Sequence, residues 1–169
     1  MGDEYVARGE RRMKRYATYI KYILTVLLLV FIIIDVSGDK ISKTDFETVK
    51  KNVNKVSGFA DVPEAENRTI KRFFGLDPSD YEGIVLYAPQ DDMAVDEMLI
   101  VKLKDISQQE IVEQAVEQRL DTQLKSFEGY GAEQVALLKK HELSVEGNYI
   151  FYIVGEKAQE AQKVFLDSL

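Results

Sequence analysis

Few residues in this sequence are equipped for chemistry. There is no cysteine and only one histidine, His141 in "LLKKHE". Disulfides, zinc–thiolate sites, cysteine nucleophiles and a lipid-modified N-terminal cysteine are therefore excluded. No Ser–His–Asp arrangement or nucleophile elbow is present. His141 reads as the solvated end of a helix. No glycine-rich phosphate loop occurs, so no cofactor is expected. Asp77, Ser79, Asp80 and Glu82 superficially resemble a calcium loop. Tyr81 and Glu82, however, stand where that loop needs an oxygen ligand and then a glycine, so no metal site is assigned. The acids of "AVDEMLIVKL", residues 94–103, are more pointed, because Asp96 and Glu97 interrupt an apolar, strand-like run. A carboxylate there could be a catalytic acid, a metal ligand or half of an ion pair.

Strand side chains alternate between two faces. Val95, Glu97, Leu99, Val101 and Leu103 share one face, which is apolar except for Glu97. Ala94, Asp96, Met98, Ile100, Lys102 and Lys104 share the other, a mixture of apolar and charged residues. The first is the expected core face. The helical run 107–127 carries Ile111, Val112, Ala115, Val116, Leu120, Leu124 and Phe127 on one broad stripe, and Arg119 falls inside it. A buried arginine needs a partner, because an unpaired buried charge is costly. Glu97 and Arg119 are thus expected to meet as a bidentate pair. The favoured role is structural, fixing strand–helix register. The alternatives are a charged groove that binds a ligand and an Arg119 that snorkels to the surface. Tyr87, Tyr130, Tyr149 and Tyr152 could line a stacking surface, although packing is the usual role of such residues. Glu97, Arg119 and Tyr130 are the binding candidates, and no residue is assigned as catalytic.

The elements that position these residues follow from periodicity. Phe46, Val49, Val53 and Val56 mark a helix, with Thr44 and Glu47 as a capping box and Gly58 at its end. A short helix over 64–74 places Ile70, Phe73 and Phe74 on one side, and "GLDPSD" makes a turn. Strands are predicted over 82–88 and 94–104, joined as a hairpin. A long helix follows from Ser107 to Phe127, with Ser107 and Glu110 as a second capping box, and then a helix over 132–142. Two further strands turn at Glu146–Gly147–Asn148, and 149–154, apolar on both faces, is the expected central strand. A closing helix presents Ala158, Ala161, Phe165 and Leu169 on one side. Residues 45–169 therefore read as an α+β domain, in which helices pack on a small antiparallel sheet of about four strands.

Ahead of this domain, Tyr22 to Ile34 are uncharged with one threonine, and 17–36 gives the roughly 20 residues that span a bilayer. The basic "RRMKRY" precedes this segment and favours a cytoplasmic N-terminus, 1–16, with the C-terminal domain outside. Residues 37–44 read as a linker. A signal peptide cleaved near "VSG" and a buried apolar helix are the competing readings. Residues 1–34 hold six basic and three acidic residues, so the net −7 leaves −10 on the remainder. An acidic domain repels phosphate backbones, and nucleic acid is not an expected partner.

The stretch "FFGLDPSDYEGIVLYAPQDDMAVDEMLIVKLKD", with "VEQAVEQRLDTQLKSFEGYGAEQVALLKKHELSVEGNYIFYIVGEKAQEAQKVF", resembles the bacterial domain of unknown function 4358. The resemblance spans about 45–168. It rests on Gly75–Asp77, Glu97, Arg119, Tyr130 and Gly147–Tyr149. It implies a protein of Gram-positive, clostridia-like bacteria, exported as a lipoprotein or behind one membrane helix. The missing lipoprotein cysteine favours the helix here. That family has no assigned activity.

The expected function is accordingly a membrane-anchored, extracytoplasmic, non-catalytic module. Its partners would be the bilayer, through 17–36, and an envelope protein or cell-wall component. The alternatives are a cell-envelope hydrolase using carboxylates and a structural subunit of a membrane complex. Hydrolase chemistry needs two carboxyls about 5–10 Å apart across an open cleft, and neighbouring Asp96 and Glu97 should face opposite ways.

Overall fold

A computed structural model describes residues 19–28 and 41–169. The chain divides into two units, Met1–Asp39 and Lys40–Leu169. In the first unit, residues 19–28 are helical with exposed side chains. No helix among the described residues is long and apolar enough to cross a membrane. Residues 17, 18 and 29–36 of the expected span lie outside the described residues, as do the basic tail 1–16 and residues 37–40.

The second unit is an α+β domain built on a four-stranded antiparallel sheet. Helix α1 (Phe46–Ser57) and helix α2 (Asn67–Phe74) precede strands β1 (Gly83–Tyr87) and β2 (Glu97–Lys102). The long α3 (Gln109–Phe127) and the short α4 (Ala132–Leu138) follow. Strands β3 (Glu142–Glu146) and β4 (Tyr149–Val154) and helix α5 (Ala158–Asp167) complete the domain. The strand order is β1-β2-β4-β3, so β2 and β4 are central. Both hairpins form as expected. Gly147, with φ of 56°, opens the two-residue turn between β3 and β4, a position where a side chain would be strained.

One expectation needs correction. The alternation of β2 predicts one core face, but all six of its residues are buried. The sheet is covered on both sides. Ile70 and Phe74 of α2, Val112 and Val116 of α3 and Leu138 of α4 pack on the face bearing Leu99, Val101, Ile150 and Tyr152. On the other face, Val49 and Val53 of α1 and Ala161 and Phe165 of α5 pack over Met98, Ile100, Tyr149 and Phe151. The Phe165 ring stacks on Phe151 at 4.8 Å and 17°. Ile111, predicted on the buried stripe of α3, is exposed, because it lies at the outer edge of that arc.

The helix starts also differ by a residue or two from the capping boxes read in the sequence. Asp45, not Thr44, caps α1 by accepting from the Thr48 amide. Asp105 and Gln108 form the second capping box, around a 3-10 turn (Ile106–Gln108) that leads into α3. Aspartate accepts as well as serine or threonine at an N-cap, so either register is chemically sound. Residues 42–44, read as linker, are held by the domain. The Ser42 amide donates to Asn148 Oδ1 at 2.8 Å, and both Lys102 Nζ and Tyr149 Oη donate to the Thr44 carbonyl.

Candidate functional site

Glu97 opens β2, and its side chain leaves the sheet on the side covered by α2 and α3. It is 0% exposed. Arg119, midway along α3, points back at it. Arg119 Nη2 donates to Glu97 Oε2 at 2.9 Å, while Nε lies 3.2 Å from Oε1 and 3.1 Å from Oε2. This fork matches two parallel donors to a planar carboxylate, the geometry that makes such pairs both strong and directional. The Arg119 side chain is 13% exposed.

Two aromatic residues close the pair. Tyr152 of β4 donates its hydroxyl to Glu97 Oε1 at 3.3 Å. The register explains this contact: Leu99 faces Tyr152 and Glu97 faces Val154, so Tyr152 sits diagonally beside Glu97 on the same face. The ring of Phe73 in α2 packs against the other charge, with the Arg119 guanidinium carbon 4.0 Å from its centroid. That separation is well within cation–π reach. Burial pushes the Glu97 carboxyl upward from its ordinary range, and the Arg119 and Tyr152 hydrogen bonds pull it back. Burial likewise raises the Tyr152 hydroxyl, and the adjacent Glu97 charge adds to the rise. Tyr152 therefore stays a donor throughout the physiological range.

His141 departs from its expected solvated position. It is half-buried, its Nδ1 lies 2.9 Å from the Leu138 carbonyl, and its ring packs 6.1 Å from that of Tyr152. The helix predicted over 132–142 stops at Leu138, and β3 begins at Glu142, which draws His141 against the sheet.

Tyr130, the third candidate, does not join this cluster. It is 67% exposed and leans on Phe127 at the end of α3, with centroids 5.7 Å apart. Together with Leu124, Val135 and Lys139 it borders a surface groove of about 550 Å³. Tyr87, Tyr149 and Tyr152 are all buried, so these three pack in the core and form no common stacking surface with Tyr130.

Asp96 faces away from Glu97, as alternation requires. It lines a second groove, of about 840 Å³, with Val95, Glu133, Lys140, Gly155 and Glu156. Burial raises its carboxyl, a backbone hydrogen bond opposes the rise, and the nearby Glu156 charge adds to it. In the turn read as a weak calcium loop, Asp77 is committed to protein donors. It accepts from the Ser79 amide at 3.1 Å and hydroxyl at 2.8 Å, and pairs with Lys71 at 2.6 Å. These contacts, led by Lys71, hold its carboxyl at about 2. Among the described residues no group of three or more His, Cys, Asp or Glu side chains is placed to hold a metal ion.

Sequence reasoning missed Tyr152 and Phe73 as members of the cluster. Tyr152 carried a signal, since a tyrosine inside a strand apolar on both faces must find a partner for its hydroxyl. Lys102 was also missed. It is buried on the opposite face at the far end of β2, where Nζ pairs with Glu82 at 2.8 Å and sits 5.5 Å from the Tyr149 ring centroid.

Neither the curated proteins nor the solved structures compared with this chain give a match. A family model does match, over residues 55–155, a narrower span than the resemblance suggested. It takes in the last turn of α1, all four strands, and Glu97, Arg119, Tyr130 and Tyr152. The match covers more than half of the sequence, and the chain belongs to the family described as the domain of unknown function DUF4358.

Proposed function

We propose that residues 41–169 are a non-catalytic binding module, carried on the outer side of a cell membrane by the apolar segment 17–36. The observation that carries the non-catalytic reading is the commitment of Glu97. Both of its oxygens are held by Arg119 and Tyr152, and no part of the side chain meets solvent. A general acid or base must reach a substrate proton, and this carboxylate is sealed from one. The anchor reading rests on the sequence, namely the uncharged run after a basic cluster.

One observation favours a second reading. Asp96, Glu133 and Glu156 border one open groove, and Asp96 is shifted toward the protonated form, as a carboxylate acid would be. A hydrolase would use this groove and not Glu97.

In-cell crosslinking and pull-down of the full-length protein, after membrane fractionation, tests the main reading. The expected result is a membrane-fraction protein that captures a specific envelope partner, with capture unchanged by Asp96→Asn. Recovery in the soluble fraction with no enriched partner overturns it. Turnover of an envelope glycan that is lost in Asp96→Asn would establish the hydrolase instead.

A further inference from the structure

The two edges of the sheet differ. In the β2–β4 pairing, Leu103 donates to the Asn148 carbonyl at 2.8 Å, which sets the phase of the whole ladder. Even-numbered β4 residues then bond β2, and odd-numbered ones bond β3. Across the hairpin, Glu142, Ser144 and Glu146 face Ile153, Phe151 and Tyr149 and use their backbone groups inward. The N–H and C=O groups of Leu143 and Val145 therefore point outward. At the opposite edge, the outward carbonyl of Leu86 in β1 is taken by the Ala65 amide at 2.8 Å. No such contact reaches Leu143 or Val145 among the described residues.

We infer that the β3 edge, Glu142–Glu146, is a docking strand for an extended peptide bearing basic residues on either side of a short β-branched core. The inference rests on the binding-module reading and names the kind of partner. Charge selects that partner. Glu142 and Glu146 flank the open backbone on the same side of the strand, and neither has an ion-pair partner among the described residues. Leu143 and Val145, on the other side, are half-buried against the core, leaving apolar surface that a paired strand would cover. A second copy fits poorly. Antiparallel self-pairing centred on Ser144 would set Glu142 against the other copy's Glu146, twice, and like charges directly opposite destabilise. A peptide with lysine or arginine at those positions reverses the sign. Its main chain would supply the missing hydrogen bonds, as in other strand additions.

The test uses full-length protein in detergent micelles and a capped peptide in which lysine, valine, threonine, valine and lysine follow in order. Saturable amide shifts centred on Leu143–Val145 are expected, with affinity about tenfold weaker for the same peptide carrying glutamate in place of both lysines. Glu142→Lys with Glu146→Lys should invert that preference. Val145→Pro removes an outward N–H while sparing the ladder to β4, and should abolish the shifts. Equal binding of the two peptides, shifts centred elsewhere, or concentration-dependent self-association through this edge would overturn the inference. Because the probe is synthetic, these outcomes are separate from the partner capture that tests the module reading. A crosslinked partner that Val145→Pro still captures leaves the module standing and removes the edge.

Discussion

Glu97 and Lys102 stand at opposite ends of β2, on opposite faces, and both are buried. They differ in what their partners keep. Glu97 is 0% exposed and its partner Arg119 only 13%, so neither charge can return to water without unpacking α3. Lys102 is 8% exposed at its side chain, but its partner Glu82 is 53% exposed. Breaking the first pair strands a charge in the core, whereas breaking the second releases a glutamate to solvent. Surrounding solvent, more than the pair's own geometry, sets what each contributes.

The largest expected effect is therefore that of Arg119→Met, which leaves the Glu97 carboxylate unpaired. Removing one partner of a buried pair costs about 3–5 kcal/mol, measurable by urea unfolding. The loss should also depend on pH. Burial raises the folded pKa of Glu97 above its unfolded value, so the folded state holds the proton longer. Stability is then fully present below the ordinary glutamate range and falls as pH rises through the raised pKa. Arg119→Met should steepen that fall, and Glu97→Gln should abolish it. Asp77 supplies the opposite slope. Its folded pKa of about 2 is below its ordinary value, so its contribution is present above that range and lost as pH falls toward 2. Asp77→Asn should flatten this acid limb alone.

Lys102→Met comes next, at about 1 kcal/mol. Glu82 can rehydrate, and the Thr44 carbonyl keeps the Tyr149 hydroxyl at 2.8 Å. A loss equal to that of Arg119→Met would show that partner exposure does not separate the two ends. Tyr152→Phe removes one long hydrogen bond to Glu97 and should cost about 0.5–1.5 kcal/mol, with the pH-dependent loss of stability enlarged. Tyr130→Ala, on an exposed ring outside the cluster, should change stability by only about 0.5 kcal/mol, and a calorimetric melt would resolve a larger change.

Much of this contrast is legible in the sequence itself. Alternation isolates Glu97 among Val95, Leu99 and Val101, and the α3 stripe independently isolates Arg119, so two periodicities converge on one contact. Lys102 is not legible in the same way. The mixed face of β2 looks solvent-facing until α1 and α5, one before and one after the strands, are known to cover it together. Phe73 appears in the sequence only as an apolar helix residue, and its seat over the guanidinium depends on how α2 lies against α3. His141 is misplaced by a boundary: ending α4 three residues before it converts a helix terminus into a strand approach. Function is the least legible part, because nothing in residue type or spacing names a partner.

The central claim is that Glu97 and Arg119 form a structural unit and not a pair of independent functional groups. A double-mutant cycle on unfolding free energy, with Glu97→Gln, Arg119→Met and both together, tests it most directly. The double variant should lose less than the sum of the single losses, by about 1–3 kcal/mol. Strict additivity would contradict the account.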